Sequence, residues 1–310
     1  MAAKPYDCII VGGGPAGLNA ALVLARCRRR IFVIDAGSPR NAPARSMHNF
    51  LTRDGINPSR LLQLARTELA RYGVTVRKGL VTSATYKSSG KSSGFRVRVG
   101  NSRSFASRTL LLATGVVDEL PGIPDFRTFY GAGVHHCPYC DGWQYSDRRI
   151  AAFGRGRHGL GLAKSLLTWS KDISIVTHGE RPTRALLAEA HRFNIRVCGQ
   201  PIAALRGNGR RVNRLNRIVF ADGDELRVDA LFFNTDQRQR SRLPIALGCT
   251  MGDDGGVVCD RRQRTGVPGL YLAGDASREV QFVIVAAAEG ASAAVAINSE
   301  LQKRDRGEDV

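Results

Sequence analysis

An α/β fold built from two strand–glycine turn–helix–strand units is predicted by three observations. The first unit occupies residues 6–37, "YDCIIVGGGPAGLNAALVLARCRRRIFVIDAG". A second copy follows at 148–179, "RRIAAFGRGRHGLGLAKSLLTWSKDISIVTHG". Two further apolar strands, in "RTLLLATG" (108–115) and "GLYLAGDAS" (269–277), each end in a small-residue turn. Recurrence of a whole supersecondary unit points to internal duplication.

In the first unit the continuous apolar run from Cys8 to Val11 reads as a buried parallel strand. It breaks into Gly12-Gly13-Gly14-Pro15-Ala16-Gly17, a G-x-G-x-x-G turn. Leu18, Ala21, Leu22 and Leu24 then supply an apolar helix face. The second strand, Ile31 to Ile34, ends at Asp35. Gly12 permits the tight turn, Gly14 lets a pyrophosphate approach the backbone, and Gly17 lets the helix pack closely on the strand. The helix N-terminus offers free N–H groups to phosphate. An acid placed like Asp35 accepts from ribose hydroxyls. Together these features read as a Rossmann-like dinucleotide-binding fold.

The strand in 108–115 ends in Ala113-Thr114-Gly115, where the chain can pass near a cofactor. In the second copy, strand Ile150 to Phe153 leads into Gly154-Arg155-Gly156-Arg157-His158-Gly159, a helix, and strand Ile173 to Val176. Gly154, Gly156 and Gly159 are therefore candidates for a second nucleotide. No acid is expected at the end of that second strand, where Thr177-His178-Gly179 stands. The strand in 269–277 ends in Gly274-Asp275, ahead of a long alanine-rich helix read over 280–298. A carboxylate beside a helix N-terminus is another candidate cofactor contact.

The chain has 310 residues, enough for two domains, and 43% hydrophobic with 24% charged residues is a globular composition. "MAAKPYDCII" runs straight into a strand without a signal pattern, and no apolar run of membrane-span length is read. A soluble, cytoplasmic protein without membrane association is expected. The net charge of +19 raises nucleic acid, a membrane surface or an acidic protein as partners. The cations are scattered, however, through "RCRRR" (26–30), "GRGRHG" (154–159), "RGNGRRVNRLNR" (206–217) and "DQRQRSR" (236–242). Without a basic helix or an aromatic-interleaved stripe, they argue against a nucleic-acid role.

Seven cysteines, an odd number with one close pair, are not a secreted disulfide framework. Cys8 and Cys27 lie in apolar patterns and read as small core residues; Cys198, Cys249 and Cys259 are isolated. The close pair sits in "HHCPYCDGW" (135–143). C-x-x-C brings two thiols within disulfide reach. A zinc site is one alternative, although four ligands from His135, His136, Cys137 and Cys140 rarely close one tetrahedron. Two inert structural cysteines are another. Pro138 suits a first helical position, and Asp141-Gly142 keeps any helix short. Asp141 is read as an acid–base group or as a turn residue only. His135 and His136 are expected to line a cleft or cap a backbone group, and Trp143 to join the core.

The order GGGPAG, ATG, CPYCD, a second G-x-G-x-x-G, then AGD resembles the thioredoxin-reductase-like flavoprotein disulfide oxidoreductases of the low-molecular-weight type. "HCPYCDGW" and "AGDAS…QFVIVAAAEGA" are most similar to the branch near gliotoxin- and holomycin-type dithiol oxidases and NADPH-independent thioredoxin reductases. The resemblance implies an FAD-binding domain from 1–117 and 246–310, with a second nucleotide-binding-like domain, 118–245, inserted in it and carrying the cysteine pair. Residues 116–126 and 237–246 would be the hinges. Each domain would be a Rossmann-like fold of three ββα layers.

By the same resemblance, Gly12, Gly14, Pro15, Ala16 and Gly17 hold the FAD pyrophosphate, while Asp35, Ala36 and Gly37 face its ribose. Arg40, Val81, Thr114 and Gly115 are further contacts, with His48 and Asn49 in a flavin-contacting loop. Gly274 and Asp275 meet the ribityl or phosphate region, and Gln281 and Phe282 the ring. Cys140 faces the flavin, Cys137 attacks the substrate, and Asp141 carries the proton. Two departures stand out. Val280 replaces the arginine usual before that glutamine. His178-Gly179 replaces the basic pair that grips the NADPH 2′-phosphate, which puts NAD(P)H in doubt. Ferredoxin or a second FAD in the inserted domain would then feed the pair. The implied function is electron transfer between FAD and the Cys137–Cys140 disulfide, and on to a thioredoxin-like protein or a small-molecule disulfide, in a homodimer. The alternatives are an oxygen-dependent small-molecule dithiol oxidase and a redox-silent nucleotide-binding partner protein.

Overall fold

The structure is a computed structural model that describes residues 4–87, 93–101, 103–208, 214–277 and 280–308. Part of the basic stretch 206–217, residues 209–213, lies outside the described residues. The chain begins with β1 (Tyr6–Val11), α1 (Pro15–Arg26), β2 (Ile31–Asp35), α2 (Pro58–Ala70) and β3 (Val76–Lys78). There follow β4 (Val81–Lys87), β5 (Gly94–Val99), β6 (Arg103–Leu112), β7 (Val116–Glu119), α3 (Phe126–Phe129), β8 (Val134–His135) and α4 (Pro138–Asp141). Next come β9 (Ile150–Phe153), α5 (Gly156–Leu166), β10 (Ile173–Val176), α6 (Arg184–Arg192), β11 (Arg196–Cys198), β12 (Ile202–Gly207) and β13 (Leu215–Phe220). The remainder holds β14 (Glu225–Arg227), β15 (Ala230–Phe233), β16 (Asp236–Gln239), α7 (Leu243–Ala246), β17 (Leu270–Leu272) and α8 (Val283–Arg306).

Two compact units divide the chain: Met1–Arg40, Asn49–Val117 and Gln237–Val310 form the first, and Asn41–His48 with Asp118–Asp236 the second. The first is built on a sheet in the order β3-β2-β1-β6-β5-β4, with β17 also paired to β6. β1 runs parallel to both β2 and β6, pairing Cys8 with Ile31 and with Thr109. Alternation along the strands sends Ile10, Val33, Leu111 and Tyr271 to one face, where α1 and α8 close the core. Ile9, Ile34, Leu110, Leu112 and Leu272 fill the other face with Val97 and Phe95. A strand buried on both faces must be apolar throughout, which is why β1 reads as a continuous run.

The second unit repeats the plan in the parallel order β11-β10-β9-β15-β8, beside an antiparallel sheet β12-β13-β14. These are two Rossmann-like α/β folds. In each, the glycine turn leaves the C-terminal end of a central strand, with strands on both sides of it. That is the topological switch point at which such sheets bind ligands.

Several details differ from the sequence reading. The second crossing falls at 236/237, not at 245/246, because β16 pairs with β7 and Gln239 Nε2 donates to Gly255 and Ala276 carbonyls of the first unit. Residues 41–48 also group with the second unit. Cys27 is exposed, since it is the C-cap of α1 rather than part of its apolar face. Trp143 is 77% exposed instead of buried. α8 is longer than expected and has the length and composition of a membrane span. Its buried Ala286, Gly290, Ala293, Ala294, Ile297 and Leu301 instead make it a core helix. Gly290 is required there, because a Cβ would lie 2.1 Å from Ala16 O.

Candidate functional site

The glycine turn of the first unit separates space kept for the chain from space kept open. Gly12 has φ +117°, and a Cβ there would lie 2.1 Å from Ala113 O. A Cβ on Gly17 would lie 2.0 Å from Gly12 O, so α1 abuts the turn itself. By contrast, a Cβ on Gly14 or Gly115 would meet nothing within 4 Å. Pro15 opens α1, whose N-terminus has no side-chain cap. Asp35 ends β2 with its carboxylate against Gly13, and Arg66 Nη2 donates to it at 2.9 Å. Among the described residues, the buried Thr114 hydroxyl has no hydrogen-bond partner.

Beside this cradle, Gly274 (φ +84°) packs on Ala16, and its N–H donates to the buried Glu289 carboxylate at 2.5 Å. Arg40 Nη1 donates to Asp275 Oδ2 (2.8 Å) and to Gln281 Oε1 (2.6 Å). Gln281 and Gln237 exchange amide hydrogen bonds of 2.8 and 2.9 Å. Arg40, far in sequence from Asp275 and Gln281, thus joins them in one network. Gln237 and Glu289 escaped the sequence reading. The signal for Glu289 was a lone acid in an alanine-rich run, and that for Gln237 its alternation with Gln239 along a strand. Phe282 caps α8. Ala36 and Gly37 (φ +80°) turn the chain after β2, and Val81 is packed in the core beneath. An open backbone face, an uncapped helix and an orphan hydroxyl fit a dinucleotide such as FAD.

One division between the two units falls between His48 and Asn49. His48 belongs to the second unit, where its Nε2 lies 3.1 Å from both Ser46 Oγ and Gln144 Nε2. Asn49 belongs to the first and donates its N–H to Asp54.

The turn after β9 is equally tight: a Cβ on Gly159 would lie 2.3 Å from Gly154 O, while Gly156 has φ +48°. An acid does reach it, contrary to expectation. Thr177 Oγ1 donates to Glu180 O at 2.6 Å, closing a turn after β10. Glu180 Oε2 then lies 3.6 Å from Arg155 Nε, and Oε1 lies 3.9 Å from where a Gly156 Cβ would be. His178 is occupied in the same turn, its Nδ1 accepting from Ile202 N–H at 2.9 Å.

Cys137 and Cys140 form a disulfide with Cα atoms 5.2 Å apart. β8 pairs Val134 with Leu231 and His135 with Phe232, and so fixes the start of the cysteine-pair segment at the sheet edge. Cys137 then caps the one-turn helix α4, and Cys140 N–H donates to Cys137 Sγ at 3.1 Å. Such an N–H stabilises negative charge on that sulfur. Asp141 Oδ1 lies 3.2 Å from His135 Nδ1. Burial first, then the neighbouring Asp141 charge, pushes the Tyr145 hydroxyl up to about 12. His136 Nδ1 lies 2.9 Å from Tyr130 Oη, which donates to Asp118 at 2.8 Å. Three other thiols are made poor nucleophiles by burial, which pushes Cys8 up to about 12 and raises Cys198 and Cys249.

Comparison with known proteins identifies the family. Residues 6–290 match the pyridine nucleotide-disulphide oxidoreductase family. The thioredoxin reductase tcpT of Claviceps purpurea is 30% identical, over 87% of this chain and 86% of that protein. The thioredoxin reductase sirT of Leptosphaeria maculans is 28% identical, over 94% and 93%. The crystal structure of HlmI superposes with a TM-score of 0.92 at 34% identity, covering 98% of this chain and 94% of that one. The chain belongs to the pyridine nucleotide-disulphide oxidoreductase family, as a thioredoxin-reductase-like, FAD-dependent disulfide oxidoreductase.

Proposed function

We propose that Cys137 and Cys140 cycle between disulfide and dithiol, coupled to FAD held by the first unit, and reduce an external disulfide. The observation that carries this reading is the closed Cys137–Cys140 pair followed directly by Asp141. FAD, when bound, supplies the two-electron store. The cradle at Gly12, Gly14, Pro15, Ala16 and Gly17 would hold its pyrophosphate, and Asp35 its ribose. Thr114, Asp275 and Gln281 would offer hydrogen bonds farther along.

In the cycle, the Cys137–Cys140 bond takes up two electrons and two protons to become a dithiol. Cys137, whose sulfur accepts the Cys140 N–H, attacks the substrate disulfide as thiolate and forms a mixed disulfide. Cys140 then displaces the second substrate sulfur and the Cys137–Cys140 bond re-forms. Asp141 gives the departing thiolate its proton. The substrate is a thioredoxin-like protein or a small-molecule disulfide. Tyr139 and Trp143, 69% and 77% exposed, bracket Cys140-Asp141 and suit an apolar partner surface around it. Oxidation of a small dithiol, with oxygen as electron acceptor, is the same chemistry reversed.

The donor we infer is not NADPH. Glu180 places a carboxylate directly after His178-Gly179, where a 2′-phosphate would need cations, and it pairs with Arg155 of the second glycine turn. NADH, reduced ferredoxin drawn to a chain of net charge +19, or a second flavin remain as donors. The test is anaerobic flavin reduction with NADPH, NADH and reduced ferredoxin compared on one preparation, with flavins per chain counted. Rapid bleaching by NADPH overturns this assignment, and two flavins per chain place one in the second unit.

A further inference from the structure

We propose that His135 is a positioning residue for Asp141: its ring, locked from behind by Gly133 and Tyr145, presents Nδ1 to Asp141 Oδ1 and leaves Oδ2 free for the proton at the cysteine pair. The proposal rests on the reading of Asp141 as the proton-transfer group and deepens it.

His135 is only 7% exposed, an uncommon place for an imidazole unless both nitrogens are occupied. Gly133 N–H donates to Nε2 at 3.2 Å. A backbone N–H can only donate, so Nε2 carries the lone pair and the ring proton sits on Nδ1, a tautomer assigned from the hydrogen-bond network. Tyr145 Oη, 3.1 Å from the same Nε2, can then meet it only as a second donor that shares the one lone pair. Burial holds the Tyr145 hydroxyl protonated. The charged groups around that hydroxyl are Asp141, Arg214, Asp229 and Arg45. The ring cannot swing away, because Phe232 and Tyr145 pack on it with centroids 5.5 and 5.4 Å away. Its remaining nitrogen, Nδ1, lies 3.2 Å from Asp141 Oδ1.

The consequence is a division of labour between the two carboxylate oxygens. Oδ1 lies 3.2 Å from the fixed Nδ1, so the proton that Asp141 takes from a thiol, or returns to a thiolate, is assigned to Oδ2. His135 exchanges no proton in the step. It acts only through Asp141, by holding that carboxylate at the end of α4.

The test uses the holoenzyme, with flavin bleaching by dithiothreitol followed anaerobically in a stopped-flow instrument. This probe enters through the cysteine pair and needs no natural donor or partner. Asp141→Asn should slow bleaching about a hundredfold, the low end for loss of a general acid–base group. His135→Phe keeps the ring packing but removes the N–H, and should slow it about tenfold. The double variant should be no slower than Asp141→Asn alone, since residues acting through one group are not additive. His135→Asn restores a donor at the Nδ1 position and should recover most of the rate, whereas His135→Gln, with its amide at the Nε2 end, should not. This last pair keeps the proposal testable if the Phe variant does not fold. Full additivity in the double variant, or equal rates for the Asn and Gln variants, overturns the positioning role. An unchanged rate in Asp141→Asn instead removes the proton-transfer reading beneath it.

Discussion

Two alanine substitutions in one glycine turn should have opposite consequences. A Cβ on Gly17 would sit 2.0 Å from Gly12 O, a backbone atom that cannot rotate away. Ordinary contact requires well over an ångström more, so α1 must shift from β1. Overpacking of that kind costs about 1–3 kcal/mol. For a domain of this size each kcal/mol lowers Tm by roughly 2–4 °C, so Gly17→Ala should melt several degrees lower even without flavin. A Cβ on Gly14 meets nothing within 4 Å, and its φ of −80° with ψ −175° suits alanine. Stripped of flavin, Gly14→Ala should be as stable as the native chain, or more so by about 0.4–1 kcal/mol from the stiffer unfolded state. The methyl group instead occupies the space assigned to pyrophosphate. Losing one charge-assisted hydrogen bond of about 1.5–3 kcal/mol weakens flavin binding roughly ten- to hundredfold. The assay is a thermal melt of apoprotein with and without added FAD, together with flavin absorbance per chain. Full flavin occupancy and an unchanged FAD-induced Tm shift in Gly14→Ala would falsify the cradle assignment.

Two other consequences are open to measurement. Glu180→Arg reverses the charge at the second glycine turn and should raise NADPH-driven bleaching about tenfold, as one exposed ion pair lost and one gained are together worth roughly 1–2 kcal/mol; no gain would detach Glu180 from donor choice. Arg149 Nε and Nη2 each donate to Asp229 at 2.9 Å, and this pairing holds the Asp229 carboxyl below its usual value. A depressed carboxylate stabilises the fold above its unfolded pKa and loses that contribution as pH falls through the folded one. Arg149→Ala should therefore cost about 1 kcal/mol at pH 7 for a half-exposed pair, with the difference from native shrinking below roughly pH 4. A difference independent of pH would show that only packing was lost.

The central strands of both units were legible because burial on both faces demands unbroken apolar runs. β9 and β10 begin and end where the pattern does. The cysteine pair was legible because its spacing alone brings the sulfurs together. Features made by chain reversal were not. Glu180 lies beyond β10 in sequence and reaches Arg155 only through the turn closed by Thr177. Likewise Arg40 and Gln281 are brought together by the sheet rather than by proximity in sequence. The Gln237–Gln281 exchange was hidden in a segment read as hinge, where the alternation of Gln237 with Gln239 went unread. His135 was read as lining a cleft or capping a backbone group; it does accept Gly133 N–H, but sequence cannot show that this fixes its tautomer or that Nδ1 meets Asp141.

The central claim, that Cys137 and Cys140 store electrons in series with the flavin, is tested most directly by anaerobic reductive titration with dithionite. A disulfide and a flavin each take two electrons, so the native holoenzyme should consume about four per chain. Cys137→Ser and Cys140→Ser should keep their flavin and consume about two. A native chain that saturates at two electrons, or a serine variant that still takes four, would contradict the account.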